Sequence, residues 1–193
     1  MTIFDLLFIA AFLATVAAVL TAAYFAFRGK PARGSRIVRN WALSACIYIG
    51  VVVLVSLAVP RRVLGLGDSR CYDDWCISID SVKREPSSGQ VSYLATLKLS
   101  SRARRVSQRE NNLAVYLTDD RGRRYGAIPE ESEVPLNALL GPQESISATR
   151  TFKVPADAQG IGVVIAHEGG FPVRWLIIGE EGWFRKPTIV PVP

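Results

Sequence analysis

The sequence predicts an all-β immunoglobulin-like sandwich preceded by a two-helix α-helical transmembrane hairpin. Three observations carry that prediction. Two long apolar runs without a charge occupy most of the first sixty residues, a short basic stretch joins them, and the apolar periodicity changes from helical to two after Cys76.

The hairpin comes first, in residues 1–62. Residues 6–27 and 41–59 contain no charged side chain. Helices of about 20 apolar residues, rising ~1.5 Å each, cross the hydrocarbon core of a bilayer. The expected helices are 3–27 and 41–59, with a loop over 28–40 that holds Arg28, Lys30, Arg33, Arg36 and Arg39 and no acid. Thr15, Thr21, Ser44 and Ser56 can return their hydroxyls to their own helix carbonyls. Tyr24 and Trp41 stand where interfacial aromatics belong, and Pro60-Arg61-Arg62 ends the second helix.

The same segment explains most of the charge. The chain has 23 Lys+Arg and 17 Asp+Glu, a net +6. Five of the bases lie in the 28–40 loop and one acid, Asp5, precedes it, so residues from Pro60 onward carry 18 bases against 16 acids. A pI near 9.5 therefore reflects topology and is poor support for nucleic-acid binding. A signal peptide would have a basic start and a shorter apolar core, and Met-Thr-Ile-Phe-Asp has no base. By the positive-inside rule the loop 28–40 is cytoplasmic, and the N-terminus and everything after Val59 lie outside a bacterial cytoplasmic membrane. Ala10, Ala14, Ala18, Ala22 and Ala26 offer a smooth face for the second helix, with Ser44 and Gly50 as contact points. No charge lies within either run, so the hairpin reads as an anchor and not as a transport path.

Residues 63–70 read as a tether. In Cys71-Tyr-Asp-Asp-Trp-Cys76 four residues separate two cysteines, too many for a C-x-x-C redox pair, and outside the cell a disulfide is expected. Cys46, within the second helix, is expected to be a buried, inert thiol.

The sandwich is expected over 71–181. Val91, Tyr93, Ala95, Leu97 and Leu99 alternate with more polar residues, as in a half-buried strand. The same reading places strands near 77–83, 90–100, 112–118, 124–128, 145–154, 161–167 and 173–178. Turn residues separate them at Pro86–Gly89, Asp119–Gly122, Gly141-Pro142, Pro155–Asp157 and Gly169–Pro172. Seven short strands at this spacing, without intervening helices, indicate a sandwich of immunoglobulin type. The tail 182–193 is expected to pack Trp183 and Phe184 and then fray.

Asp119-x-x-Gly122-x-x-Tyr125, Leu139-Leu-Gly-Pro142 and Phe152-x-Val154-Pro155 together resemble the telokin-like, immunoprotective-extracellular-protein family of bacterial immunoglobulin-like domains, over about residues 76–179. That family usually has Pro-Gly where this chain has Gly141-Pro142. The resemblance implies a domain held outside the cytoplasmic membrane, and it supplies no catalytic set and no cofactor.

His167 is the only histidine, and neither a Gly-x-Ser-x-Gly elbow nor a free nucleophilic cysteine accompanies it. Asp68, Asp73, Asp74 and Asp80, and the pair Asp119 and Asp120, match no calcium loop. Neither a catalytic residue nor a metal or cofactor ligand is assigned. Arg102, Arg104, Arg105 and Arg109, with Arg121, Arg123 and Arg124 in the next hairpin, are candidates for contact with an anionic surface, provided the loops meet. The reading is a non-catalytic binding or assembly module at the cell envelope, with the lipid bilayer and an envelope protein or ligand as partners and no nucleic acid. The alternative is an envelope enzyme or metal-dependent hydrolase using His167 or the aspartate clusters. A sensor is disfavoured by the short cytoplasmic loop.

Overall fold

The structure, a computed structural model, describes residues 3–87, 89–130, 133–168 and 186–192. The hairpin and the β-sandwich form separate compact units. Within the first, α1 spans Ile3–Phe27 and α2 spans Pro31–Ala58, and both are long and apolar enough to cross a membrane.

The second helix starts ten residues before the expected Trp41, so the expected loop 28–40 shrinks to Arg28–Lys30. Proline at the first helical position is compatible with helix initiation because its missing N–H would have no partner there. Arg33, Arg36 and Arg39 consequently ride on the exposed face of the first turns of α2, alongside α1. Trp41 lies about 15 Å along its helix, where its indole donates to Thr15 Oγ1 at 3.1 Å. It is an interhelical contact. Thr15, Thr21 and Ser44 do bond back, to the carbonyls of Ala11, Ala17 and Asn40.

The alanine stripe divides. A four-residue step advances about 40° beyond a full turn, so the four steps from Ala10 to Ala26 wind off any one face. The half-buried positions of α1 instead follow alternating steps of three and four: Phe8, Ala11, Thr15, Ala18, Ala22, Phe25. Ala10, Ala14 and Ala26 stay exposed. The backbones come close at Gly34, where an added Cβ would lie 3.0 Å from the Ala22 carbonyl oxygen, whereas one added at Gly50 would meet nothing within 4 Å and Ser44 is exposed. Cys46 is exposed rather than buried.

Among the described residues the sandwich has eight strands: β1 Ser69–Tyr72, β2 Trp75–Ser87, β3 Gln90–Ser101, β4 Leu113–Thr118, β5 Arg124–Gly126, β6 Ser145–Pro155, β7 Gly162–His167 and β8 Thr188–Pro191. They form two antiparallel sheets, β1-β2-β3-β6 and β5-β4-β7-β8. The order β2-β3-β6 and β4-β7-β8 reproduces the A-B-E and C-F-G arrangement of an immunoglobulin sandwich. Period two explains the core: Ile77 and Ile79 of β2, Leu97 and Leu99 of β3, Phe152 and Val154 of β6, Leu117 of β4, and Val163 and Ile165 of β7 turn into one cluster between the sheets.

Two strands arise where the sequence suggested none. The expected tether contributes β1, and Val63 bridges Ile189 in parallel. The expected fraying tail supplies β8, which pairs with β7 and buries Thr188 and Val190. Proline at the outer end of this strand is tolerated because no ladder bond requires its nitrogen. The strand expected at 173–178, with Trp183 and Phe184, lies outside the described residues.

Candidate functional site

Strand directions define two ends of the sandwich. At the near end the chain arrives from α2, with Arg61 Nε donating to Pro187 O at 2.9 Å and the Arg62 carbonyl accepting from Ile189 N. The β1–β2 turn, the β3–β4 connection, the start of β6 and the end of β7 lie at this end, as the register pairs Trp75 with Ser101 and Leu113 with His167. The far end holds the β4–β5 hairpin and the β6–β7 turn.

The seven candidate arginines therefore do not form one surface. Arg102, Arg104, Arg105 and Arg109 occupy the β3–β4 connection at the near end, all exposed. Among the described residues none of these four makes an ion pair. Arg121 and Arg123 belong to the far hairpin and are engaged there. Arg121 meets Asp157 at 3.2 Å, and Arg123 meets Asp119 at 2.6 Å and Asp157 at 3.4 Å. Arg124 leans over the Tyr116 ring at 4.6 Å and pairs with Glu168 at 3.1 Å.

Asp119 is the hub of the far hairpin. It accepts from the Arg123 backbone at 2.8 Å, the Arg123 side chain at 2.6 Å and the Tyr125 hydroxyl at 3.0 Å. Burial acts to raise its carboxyl, but these donors outweigh burial and bring the pKa down to about 2. Gly122, at φ +77°, closes the turn with its N–H on the Asp119 carbonyl. The Asp-x-x-Gly-x-x-Tyr pattern is thus a hairpin clamp, with its acid occupied.

Asp68 and Asp80 are also tied to their own chain, through Gly65 N at 2.8 Å and the Ser78 hydroxyl at 2.8 Å. Asp73 and Asp74 form the two-residue turn between β1 and β2, and Asp73 has φ +53°. Among the described residues no three His, Cys, Asp or Glu side chains converge as a metal site. Cys71 and Cys76 are joined, directly opposite each other across β1 and β2.

His167 is more than the strand-edge polar residue its position suggested. Its Nε2 lies 2.8 Å from Glu110 Oε1, and both side chains are nearly buried. The Tyr72 ring meets the imidazole edge to face at 4.4 Å, and the Arg70 guanidinium covers Tyr72 at 4.9 Å. Arg70 in turn donates to the Ile165 carbonyl at 3.3 Å and to the Thr188 hydroxyl. These contacts link β1, β7, β8 and the β3–β4 connection, so they brace the segment that carries the four exposed arginines. The sequence separation of 57 between Glu110 and His167 hides this pair from any local pattern.

No protein-family model matches the chain, and no curated protein matches it. It is similar to solved bacterial structures at low identity. An uncharacterized β-sandwich protein from Clostridium difficile 630 is 11% identical with a TM-score of 0.44, covering 69% of this chain and 95% of that one. A secreted protein from Mycobacterium tuberculosis, MPT63, is 13% identical with a TM-score of 0.44, covering 69% and 99%. The yjhA protein from Bacillus subtilis is 10% identical with a TM-score of 0.43, covering 67% and 98%. None of these likenesses reaches a level from which a function follows. The fold and the two helices define a β-sandwich domain that follows a membrane-length helical hairpin.

Proposed function

We propose that the chain is a non-catalytic binding or assembly module of the bacterial cell envelope, related to the telokin-like immunoglobulin domains and held at the cytoplasmic membrane by α1 and α2. In this reading the N-terminus and the sandwich are outside, and the Arg28–Lys30 turn with Arg33, Arg36 and Arg39 is at the cytoplasmic side. The observation that carries it is the placement of Arg102, Arg104, Arg105 and Arg109 at the sandwich end where the chain arrives. Two residues, Val59 and Pro60, separate Ala58, the end of α2, from Arg61. The three Cα steps from Ala58 to Arg61 span at most about 11 Å, so Arg61, at this end of the sandwich, is held on a short leash from α2. In this reading the four arginines, which make no ion pair among the described residues, meet anionic headgroups, at about 1 kcal/mol for each base near a charged surface, or an acidic region of a membrane partner.

The test is crosslinking of the full chain in native membranes through a photoreactive residue placed at Val106, beside Arg105. Reproducible capture of lipid or of one envelope protein, lost in an Arg104→Glu/Arg105→Glu variant, supports the reading. Capture that is indifferent to those charges removes it.

A further inference from the structure

On the outer face of the β1-β2-β3-β6 sheet, near its arrival end, lies an open polar depression of about 340 Å³. Register explains its chemistry. Ser69, Ser78 and Lys98 are opposite one another across β1, β2 and β3, and one row over Cys71, Cys76, Ser100 and Ser145 are opposite one another across all four strands. Outward positions that elsewhere would be arbitrary surface residues therefore form a band of hydroxyls, with the disulfide holding β1 in place as one wall. The opposite wall is the start of β6, where Ser101 N donates to the Glu144 carbonyl at 2.8 Å. Gln143 Nε2 donates to the carbonyls of Arg102 and Ala103, at 3.0 and 3.1 Å, and so fixes the backbone that carries Arg102.

The charges in the depression are not equivalent. Asp80 accepts from Ser78, and one Glu144 oxygen accepts from Gly141 N at 2.6 Å, which leaves each acid partly committed to its own chain. Lys98 and Arg102 make no ion pair among the described residues. The depression thus combines two cations uncommitted among the described residues, carboxylate oxygens with spare acceptor capacity, and serine hydroxyls, and among the described residues no aromatic ring lines it. We infer that it binds a small saccharide unit bearing an acidic group. The cations hold the carboxylate or phosphate, while Asp80, Glu144 and the serines exchange hydrogen bonds with the sugar hydroxyls. Without a stacking platform the affinity is low and exchange is fast. The ligand touches the arginine rim only at Arg102, so it does not depend on the crosslinking outcome above.

The experiment is an NMR titration of the isotope-labelled full chain in detergent micelles with glucuronate, glucose 6-phosphate, glucose and inorganic phosphate. Glucuronate or glucose 6-phosphate is expected to shift the amides of Ser78, Lys98, Ser100 and Ser145 saturably, with glucose at least fivefold weaker. Lys98→Glu is expected to weaken the acidic sugars at least tenfold, and Ser100→Tyr, which fills the depression, to abolish the shifts. Lys153→Glu, exposed on β6 outside the depression, is expected to leave them unchanged. Absence of saturable shifts with either acidic sugar would overturn the inference. So would unchanged affinity in Lys98→Glu, or inorganic phosphate binding as tightly as glucose 6-phosphate, which would make this a bare anion site.

Discussion

Arg150 Nε lies 2.6 Å from Glu133 Oε1, on the side of β6 that faces the core. The strand turns Ala148, Arg150, Phe152 and Val154 inward, and the partner of Arg150 on β3 is Ala95, whose small side chain leaves room for a guanidinium. The remaining donors reach the carbonyls of Thr149 and Val134 at 2.9 and 2.6 Å. Burial lowers the Arg150 pKa, and the charges of Glu133 and Glu130 oppose that effect. The pair pins the 133–140 segment over the open edge of the sandwich.

This geometry predicts an unequal response to mutation. Arg150 is 6% exposed and Glu133 is 23% exposed, so loss of the acid strands a buried cation, whereas loss of the cation leaves an acid that water can reach. Glu133→Ala should cost about 3 kcal/mol and Arg150→Met clearly less. Urea unfolding of both variants checks the order, and a larger loss in Arg150→Met would contradict it.

The far hairpin predicts acid sensitivity. The Asp119 carboxyl, ordinarily near 3.8, is held at about 2 in the folded chain. A depressed folded value means that its contribution is fully present above about pH 4. The contribution is then lost as pH falls toward 2. Asp119→Asn should remove this component, so the gap in stability between wild type and variant should narrow over that window. A gap that stays constant from pH 5 to pH 2 would show that the clamp does not act through this charge.

The disulfide joins residues five apart in sequence, so it restricts only a short loop. Chain-entropy arguments give about 2 kcal/mol for such a ring. Cys71→Ser/Cys76→Ser should therefore remain folded with a modestly lower urea midpoint. In denatured, unreduced protein only Cys46 should accept an alkylating reagent. Modification of Cys71 or Cys76 under those conditions would be incompatible with the bridge.

Hairpin packing depends on Gly34, because a side chain there meets the Ala22 backbone and not a flexible chain end. Gly34→Leu should separate the helices and break the Trp41–Thr15 hydrogen bond. Spin labels at Phe12 and Leu43, both exposed, report the change as an increased and broadened distance distribution. An unaltered distribution would mean that the helices tolerate bulk at this crossing.

The near-end arginines make a prediction about lipid. A cysteine at Val106, exposed beside Arg105, should react about threefold more slowly with a water-soluble thiol reagent in anionic nanodiscs than in neutral ones, because headgroup contact shields it. Arg104→Glu/Arg105→Glu should abolish the difference. Equal rates in both lipids for the wild-type arginines would exclude headgroup contact.

What the sequence determined by itself was whatever rests on local periodicity and covalent distance. The charge-free runs on either side of a basic stretch gave two membrane-length helices. The alternation in 91–99 and the turn residues around it gave a two-sheet β-sandwich, and the spacing of Cys71 and Cys76 gave a bridge between neighbours. The tertiary structure decided what depends on partners distant in the chain. Thr188–Pro191 is a strand only because β7 offers it an edge, and Pro191 at its end, with Pro187 and Pro193 flanking it, masks that in sequence. Arg150 is a core residue only because Ala95 stands opposite. Glu110 and His167 meet only when β7 has been laid beside β4. The arginine loops separate because the β4–β5 hairpin and the β3–β4 connection close opposite ends of the sandwich, and a linear charge pattern carries no record of strand direction. The serine band across β1, β2, β3 and β6 likewise exists only through register, which brings together single serines that are unremarkable in their own strands.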